Sequence, residues 1–199
     1  MTDRASVDMS ELELTSQTEL DEATALNGET SEGETTAEGV EITTERGEGR
    51  ERQLSARVTI PHSVNQVWQI LTDYDQLAEF IPSLSLSRQI DHPQGGIRIE
   101  QVGTQALLKL KFCARVVLDM VEHFPSQIEF QMVEGDFKSF CGSWTLQPAA
   151  NGGTDLCYTV SVLPPRAMPV GLIERKLRSS LLVNLTAIRQ RADELFGRS

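Results

Sequence analysis

Residues Leu108 to Phe124 constrain the fold more than any other stretch of the chain. Leu108, Leu110, Phe112, Ala114, Val116, Leu118 and Met120 share one parity, and Lys109, Lys111, Cys113, Arg115 and Asp119 share the other. Successive strand side chains point to opposite faces, so this pattern describes a long antiparallel strand with one buried face; it is too long and too strict for a helix. A sheet built on such a strand needs a cover. Pro169 to Phe196 can supply it, because Ile173, Leu177, Leu181, Leu185, Ile188, Ala192 and Leu195 recur at spacings of four and three. A helix of about 28 residues is about 42 Å long, enough to lie across a whole sheet.

The other elements follow from local signals. Leu54 to Ile60 alternates and stops at Pro61. Ser63 can cap a helix carrying Val64, Val67, Trp68 and Leu71 at helical spacing. A second short helix is expected at Asp75 to Phe80, ended by Ile81-Pro82. Strands follow at Leu84–Ile90, Ile97–Val102, Leu108–Phe124, Gln127–Glu134, Phe137–Gln147 and Asp155–Leu163, with Asn151-Gly152-Gly153 as a hairpin turn. Strands in one block predict an α+β fold: a curved antiparallel sheet of about seven strands wrapped on a long C-terminal helix, with two short helices after strand 1. Where a helix meets a concave sheet along a line, the space beside it is either filled by large side chains or left as an apolar cavity.

The charge is confined to one end. Residues 1–50 hold 14 acids and 3 bases, whereas the remainder holds 15 of each and is neutral. The first fifty residues contain no Phe, Trp, Tyr or Lys, so they cannot bury enough apolar area to offset their ordering entropy. We expect a disordered acidic tail over 1–51, with a transient helix at most within Met9 to Leu26, and a folded domain over 52–199. The tail is a solubilising segment or an acidic docking arm for a protein partner. A neutral body offers no basic footprint for nucleic acid. No apolar run reaches the roughly 18 residues of a membrane span. With neither signal-peptide nor transit-peptide features at the start, a cytoplasmic location is expected. Cys113, Cys141 and Cys157 show no metal or disulfide spacing and read as reduced.

The order of these elements, with Val58-Thr59-Ile60-Pro61, Val67-Trp68-Gln69-Ile70-Leu71-Thr72-Asp73-Tyr74, Leu77-Ala78-Glu79-Phe80-Ile81-Pro82-Ser83-Leu84 and Gly142-Ser143-Trp144-Thr145-Leu146, resembles the helix-grip superfamily. Its members include steroidogenic-regulatory-protein-related lipid-transfer (START) domains and pollen-allergen-type proteins. The nearer resemblance, over about residues 52–196, is to the polyketide cyclase/dehydrase branch and its coenzyme-Q-binding START-like members. The resemblance implies the helix-grip fold and a lipid or prenylated quinone as ligand, or, in an enzyme, aromatase/cyclase action on a polyketide.

Catalytic chemistry is hard to find in the residues. His62, His92 and His123 fall outside the predicted cavity and read as solvated surface histidines. Asp119 and Glu129 have outward parity, as does Arg115; Glu122 has inward parity but sits at a strand end. No His/Cys cluster suits a metal and no glycine-rich loop opens a helix, so neither cofactor nor catalytic residue is assigned. What remains is an apolar cavity with few polar handles. Phe112, Val116, Phe130, Trp144, Tyr158 and Val160 are expected to line it from the sheet, and Leu177, Leu181 and Asn184 from the helix, with Ser180 beside them. Tyr158 shares the parity of Val160 and Val162, so its hydroxyl is expected to point inward and to want a partner. Residues 163–178 combine apolar positions with Arg166, Arg175, Lys176 and Arg178, a composition suited to transient contact with an anionic membrane surface. The expected function is noncatalytic binding or transport of a hydrophobic small molecule; the alternative is an aromatase/cyclase with Tyr158 as its acid.

Overall fold

The computed structural model describes residues 34–35, 39–107, 110–150 and 152–198, and within these the side chains of 34–35, 105–107 and 110–112 are left aside. The acidic stretch 1–31 and the expected helix at Met9 to Leu26 lie outside the described residues.

In chain order the elements are β1 (Glu34–Thr35), β2 (Glu41–Arg46), β3 (Arg52–Ile60), α1 (Val64–Thr72), α2 (Leu77–Phe80), β4 (Leu84–Ile90), β5 (Ile97–Leu107), β6 (Leu110–His123), β7 (Gln127–Gly135), β8 (Ser139–Pro148), β9 (Thr154–Leu163) and α3 (Val170–Phe196). The strands form one curved antiparallel sheet in the order β1-β2-β3-β9-β8-β7-β6-β5-β4. The helix-grip architecture is therefore present: the sheet wraps on the 27-residue α3. The alternation that predicted β6 is realised, with Ala114, Val116, Leu118 and Met120 buried. Its register with β5 runs from Ile97↔Met120 to Leu107↔Leu110. β5 is thus five residues longer than its hydrophobic pattern suggested.

The sheet has two more strands than expected, and both come from the segment assigned to the tail. β2 pairs with β3 through Ile42↔Ala56 and Thr44↔Leu54. Val40, Ile42 and Thr44 are buried, at 0%, 4% and 9% exposure. This corrects the division at 51/52, since the sheet already includes Glu41–Arg46. The period-two signal in Val40-Glu41-Ile42-Thr43-Thr44 was hidden by the acidic composition around it. A half-buried strand needs only two or three apolar positions, which an average over fifty residues does not register.

Local chemistry sets the ends of the elements. The side-chain carbonyl of Gln66 accepts the Ser63 N–H at 2.9 Å, which is the backward half of a capping box at the start of α1. Gly152 turns β8 into β9 at φ +80°, a conformation that residues with a Cβ avoid. The core runs between β3, β9 and α3, where Leu54, Ile60, Leu156, Leu181, Leu185 and Ile188 are at most 2% exposed. Leu195 leaves the expected helical stripe, being 51% exposed. Phe196, one position later, packs its ring 6.1 Å from that of His62 instead.

Candidate functional site

A cavity of about 190 Å³ lies between α3 and the concave face of the sheet. An apolar cavity of about 150 Å³ is enough to take up benzene, so this one has room for an organic molecule. β5, β7 and β9 all end on the side from which the chain enters α3, and Thr104, Phe137 and Lys176 line the cavity toward that side. Leu71, Met120 and Ile128 line the opposite end.

Of the residues expected here, Val116, Phe130, Trp144, Tyr158 and Val160 line the cavity from the sheet, and Leu177, Leu181 and Asn184 from α3. Phe112 takes its place in β6, paired with Gln105, but its side chain is outside those described. Strand parity placed the sheet residues, because β6, β7, β8 and β9 present alternate positions to one face.

The wall opposite α3 is aromatic. The rings of Trp144 and Tyr158 stack with centroids 3.9 Å apart and planes 13° from parallel. Phe130 lies 5.8 Å from Tyr158 and 5.6 Å from Phe140, which in turn stacks on Phe137. Gly142 makes this wall possible. It pairs with Phe130 on one side and Val160 on the other. A Cβ there would meet the Thr159 carbonyl at 2.0 Å and the Phe130 ring at 2.7 Å. The glycine in Gly142-Ser143-Trp144 is therefore a packing requirement.

Most polar groups around the cavity are already engaged. Tyr74 donates its hydroxyl to Glu122 at 2.8 Å. Burial first, and then this bond and charge, push its phenol well above the ordinary value. Glu122 thus serves as an acceptor for Tyr74. Ser83 donates to Asn184 Oδ1 at 2.6 Å, and Ser87 to the Tyr74 carbonyl at 2.6 Å. Two groups differ. The Tyr158 hydroxyl has no hydrogen-bond partner among the described residues, and burial alone pushes its phenol up. Lys176 lines the cavity at 7% exposure, also without a hydrogen-bond or ion-pair partner among the described residues.

Lys176 corrects the sequence reading, which counted it among surface bases. It stands three residues after the buried Ile173, a spacing that puts two side chains on one face of a helix, so its place on the inner side of α3 has a signal in the sequence. Its charge favoured the outer assignment. The other bases of that segment differ in their surroundings. Arg178 reaches Thr44 Oγ1 at 2.9 Å, while Arg50 donates to the carbonyls of Pro165 and Met168. Arg166 and Arg175 remain exposed, but Pro164 is buried.

The histidines lie away from the cavity, though His62 and, at 15% side-chain exposure, His92 are not the solvated residues expected. His62 is 4% exposed, and its Nε2 sits 2.8 Å from Asp193 Oδ1. Thr154 donates to its backbone carbonyl at 2.7 Å. It ties β3 to the end of α3. His92 lies 3.4 Å from Asp119, and His123 3.9 Å from Glu129, both outside the cavity. Asp119, Arg115 and Glu129 keep their outward parity. Arg98 grips Asp119, and Arg88 and Arg115 converge on Glu100, forming an ion-pair network apart from the cavity. Among the described residues no cluster of three or more His, Cys, Asp or Glu could hold a metal ion, and no helix is long and apolar enough to cross a membrane.

Residues 60–186 match the family described as polyketide cyclase / dehydrase and lipid transport. The chain belongs to this family. Solved structures carry the same fold. The STAR-related lipid transfer protein of Xanthomonas axonopodis superposes with a TM-score of 0.67 at 16% identity, covering 82% of this chain and 99% of that one. The Zhui aromatase/cyclase of a Streptomyces species gives 0.60 at 15% identity, over 72% of this chain and 94% of the other. A START superfamily protein of Mycobacterium smegmatis gives 0.61 at 14%, over 72% and 98%. No curated protein matches the chain in sequence. Family and fold together support hydrophobic ligand binding or a polyketide cyclase role, a choice that similarity at these identities leaves to the site itself.

Proposed function

We propose that this member of the family is a noncatalytic binder or carrier of a hydrophobic small molecule, held between α3 and the aromatic wall of the sheet. One observation carries the reading. The cavity is walled by apolar and aromatic side chains, and its hydroxyls and amides are largely bonded to each other. A site of that kind gains affinity from removing apolar surface from water, at roughly 25 cal/mol per Å² before association costs. Phe130, Trp144 and Tyr158 supply flat contact area, and Leu177 and Leu181 close it from above.

The test is made on the full chain purified from its native host. Intact masses under native and denaturing conditions are compared, and whatever is released is extracted and identified. A stoichiometric apolar compound supports the proposal. A hydrophilic one, or a binding site mapped outside the cavity, contradicts it.

The second reading, a cyclase, draws on the Tyr158 hydroxyl and Lys176 amine in the same cavity, neither of which has a hydrogen-bond partner among the described residues. A phenol and an amine are the acid–base pair that ring closure of a poly-β-ketone would require. Turnover of such a substrate that disappears in Tyr158→Phe would favour it over the binder.

A further inference from the structure

The cavity is polarised along α3. Lys176, Ser180 and Asn184 stand four residues apart, so they form one row on the helix about 12 Å long. All three line the cavity, next to Leu177 and Leu181. At the far end Leu71, Met120 and Ile128 are joined by Tyr74, whose hydroxyl is taken up by Glu122. The space therefore offers an amine near the start of α3 and, at depth, hydrocarbon, a thioether and an already bonded phenol.

Lys176 is the informative residue. The nearby acid on α3, Glu174, is held by Arg52 at 3.1 Å, and Glu122 is held by Tyr74. Lys176 is 7% exposed and meets no acid among the described residues, whereas lysines so largely buried are normally paired. A ligand can bring the anion that those residues do not supply.

We propose that the cavity takes an amphiphile bearing a single carboxylate, and that Lys176 reads the carboxylate while the hydrocarbon runs toward Leu71 and Ile128. One cation matches one carboxylate, whereas a doubly charged phosphate would keep a charge unmatched. The Tyr158 hydroxyl, without a hydrogen-bond partner among the described residues, is available as a second donor. A charge-assisted bond of this kind is directional as well as strong, so Lys176 sets ligand orientation along with affinity. The proposal rests on the reading of the cavity as a ligand site and names its ligand class.

The test compares decanoate with 1-decanol, which share a chain and differ in charge, on the full-length protein by tryptophan fluorescence and calorimetry. We expect decanoate to bind at least about 10-fold more tightly, as a hydrogen bond to a charged group implies. Lys176→Met, and Lys176→Gln as a second variant, should abolish that preference, bringing decanoate affinity down to that of decanol or below. If the wild-type protein binds both probes equally, or the variants retain the preference, the assignment of Lys176 is overturned while the apolar site stands. If neither probe binds, both the assignment and the reading beneath it fail.

Discussion

The indole of Trp144 and the phenol ring of Tyr158 lie directly opposite in the β8–β9 register and stack 3.9 Å apart. The stack places an indole against a hydroxyl that has no hydrogen-bond partner among the described residues. Tyr158→Phe keeps the ring and removes only the oxygen, so a binder of neutral apolar ligands should hold its affinity within about 3-fold, less than a net hydrogen bond is worth. Trp144→Ala removes the stack and opens the wall. It should lower stability by about 2–3 kcal/mol, somewhat below the cost at a fully buried site, and weaken binding as well. Urea titration measures the first effect and ligand titration the second.

Leu181 is 2% exposed and lines the cavity from the middle of α3. Leu181→Trp should fill space that a ligand would occupy. Overpacking costs about 1–3 kcal/mol, which a folded domain survives. The expected outcome is a folded protein that no longer carries ligand by native mass spectrometry. Ligand at full stoichiometry would mean that it sits elsewhere.

β2 contributes Val40 and Ile42 to the core, at 0% and 4% exposure. Removing residues 1–47 strips β2 from the edge of β3, whereas removing residues 1–31 leaves the described strands intact. The longer truncation should lose at least about 3 kcal/mol, since each buried aliphatic side chain is worth about 1.5–3 kcal/mol. The shorter one should unfold at the same denaturant midpoint as the whole chain.

The ion-pair network makes stability depend on acid. Hydrogen bonds from Arg115 and then Arg88 hold the Glu100 carboxyl below its ordinary 4.5, and Arg98 holds Asp119 below 3.8. A carboxylate lowered in the folded state stabilises fully above its unfolded value, and that contribution fades as pH falls through the folded one. The thermal midpoint should therefore be flat above about pH 6 and fall below about pH 4. Arg115→Gln should shrink the acid-dependent part of the drop. An unchanged acid slope would remove the network from the account.

How far the sequence reached differs from element to element. β6 was legible because a seven-member alternation admits one conformation, and Ala114, Val116, Leu118 and Met120 followed as buried. α3 was legible for the same reason at a different period. β2 was not, because Val40 and Ile42 are two apolar residues in an acidic surround. They become a strand only because the edge of β3 is there to pair with. His62 read as a surface residue because nothing local announces Asp193, which is 131 positions away and 2.8 Å distant.

By itself the sequence determined the periodicities, and with them the fold class, the covering helix and the parity that turns Val116, Phe130, Trp144, Tyr158 and Val160 toward one face. Periodicity is a local property, written in neighbours along the chain. Only the tertiary structure decided which polar groups are satisfied. Ser83 takes up Asn184, Glu122 takes up Tyr74, and Lys176 is left facing the cavity with none of the described residues as its partner. Partnering depends on residues from distant elements arriving within about 3 Å of one another, a condition no spacing along one strand or helix can express.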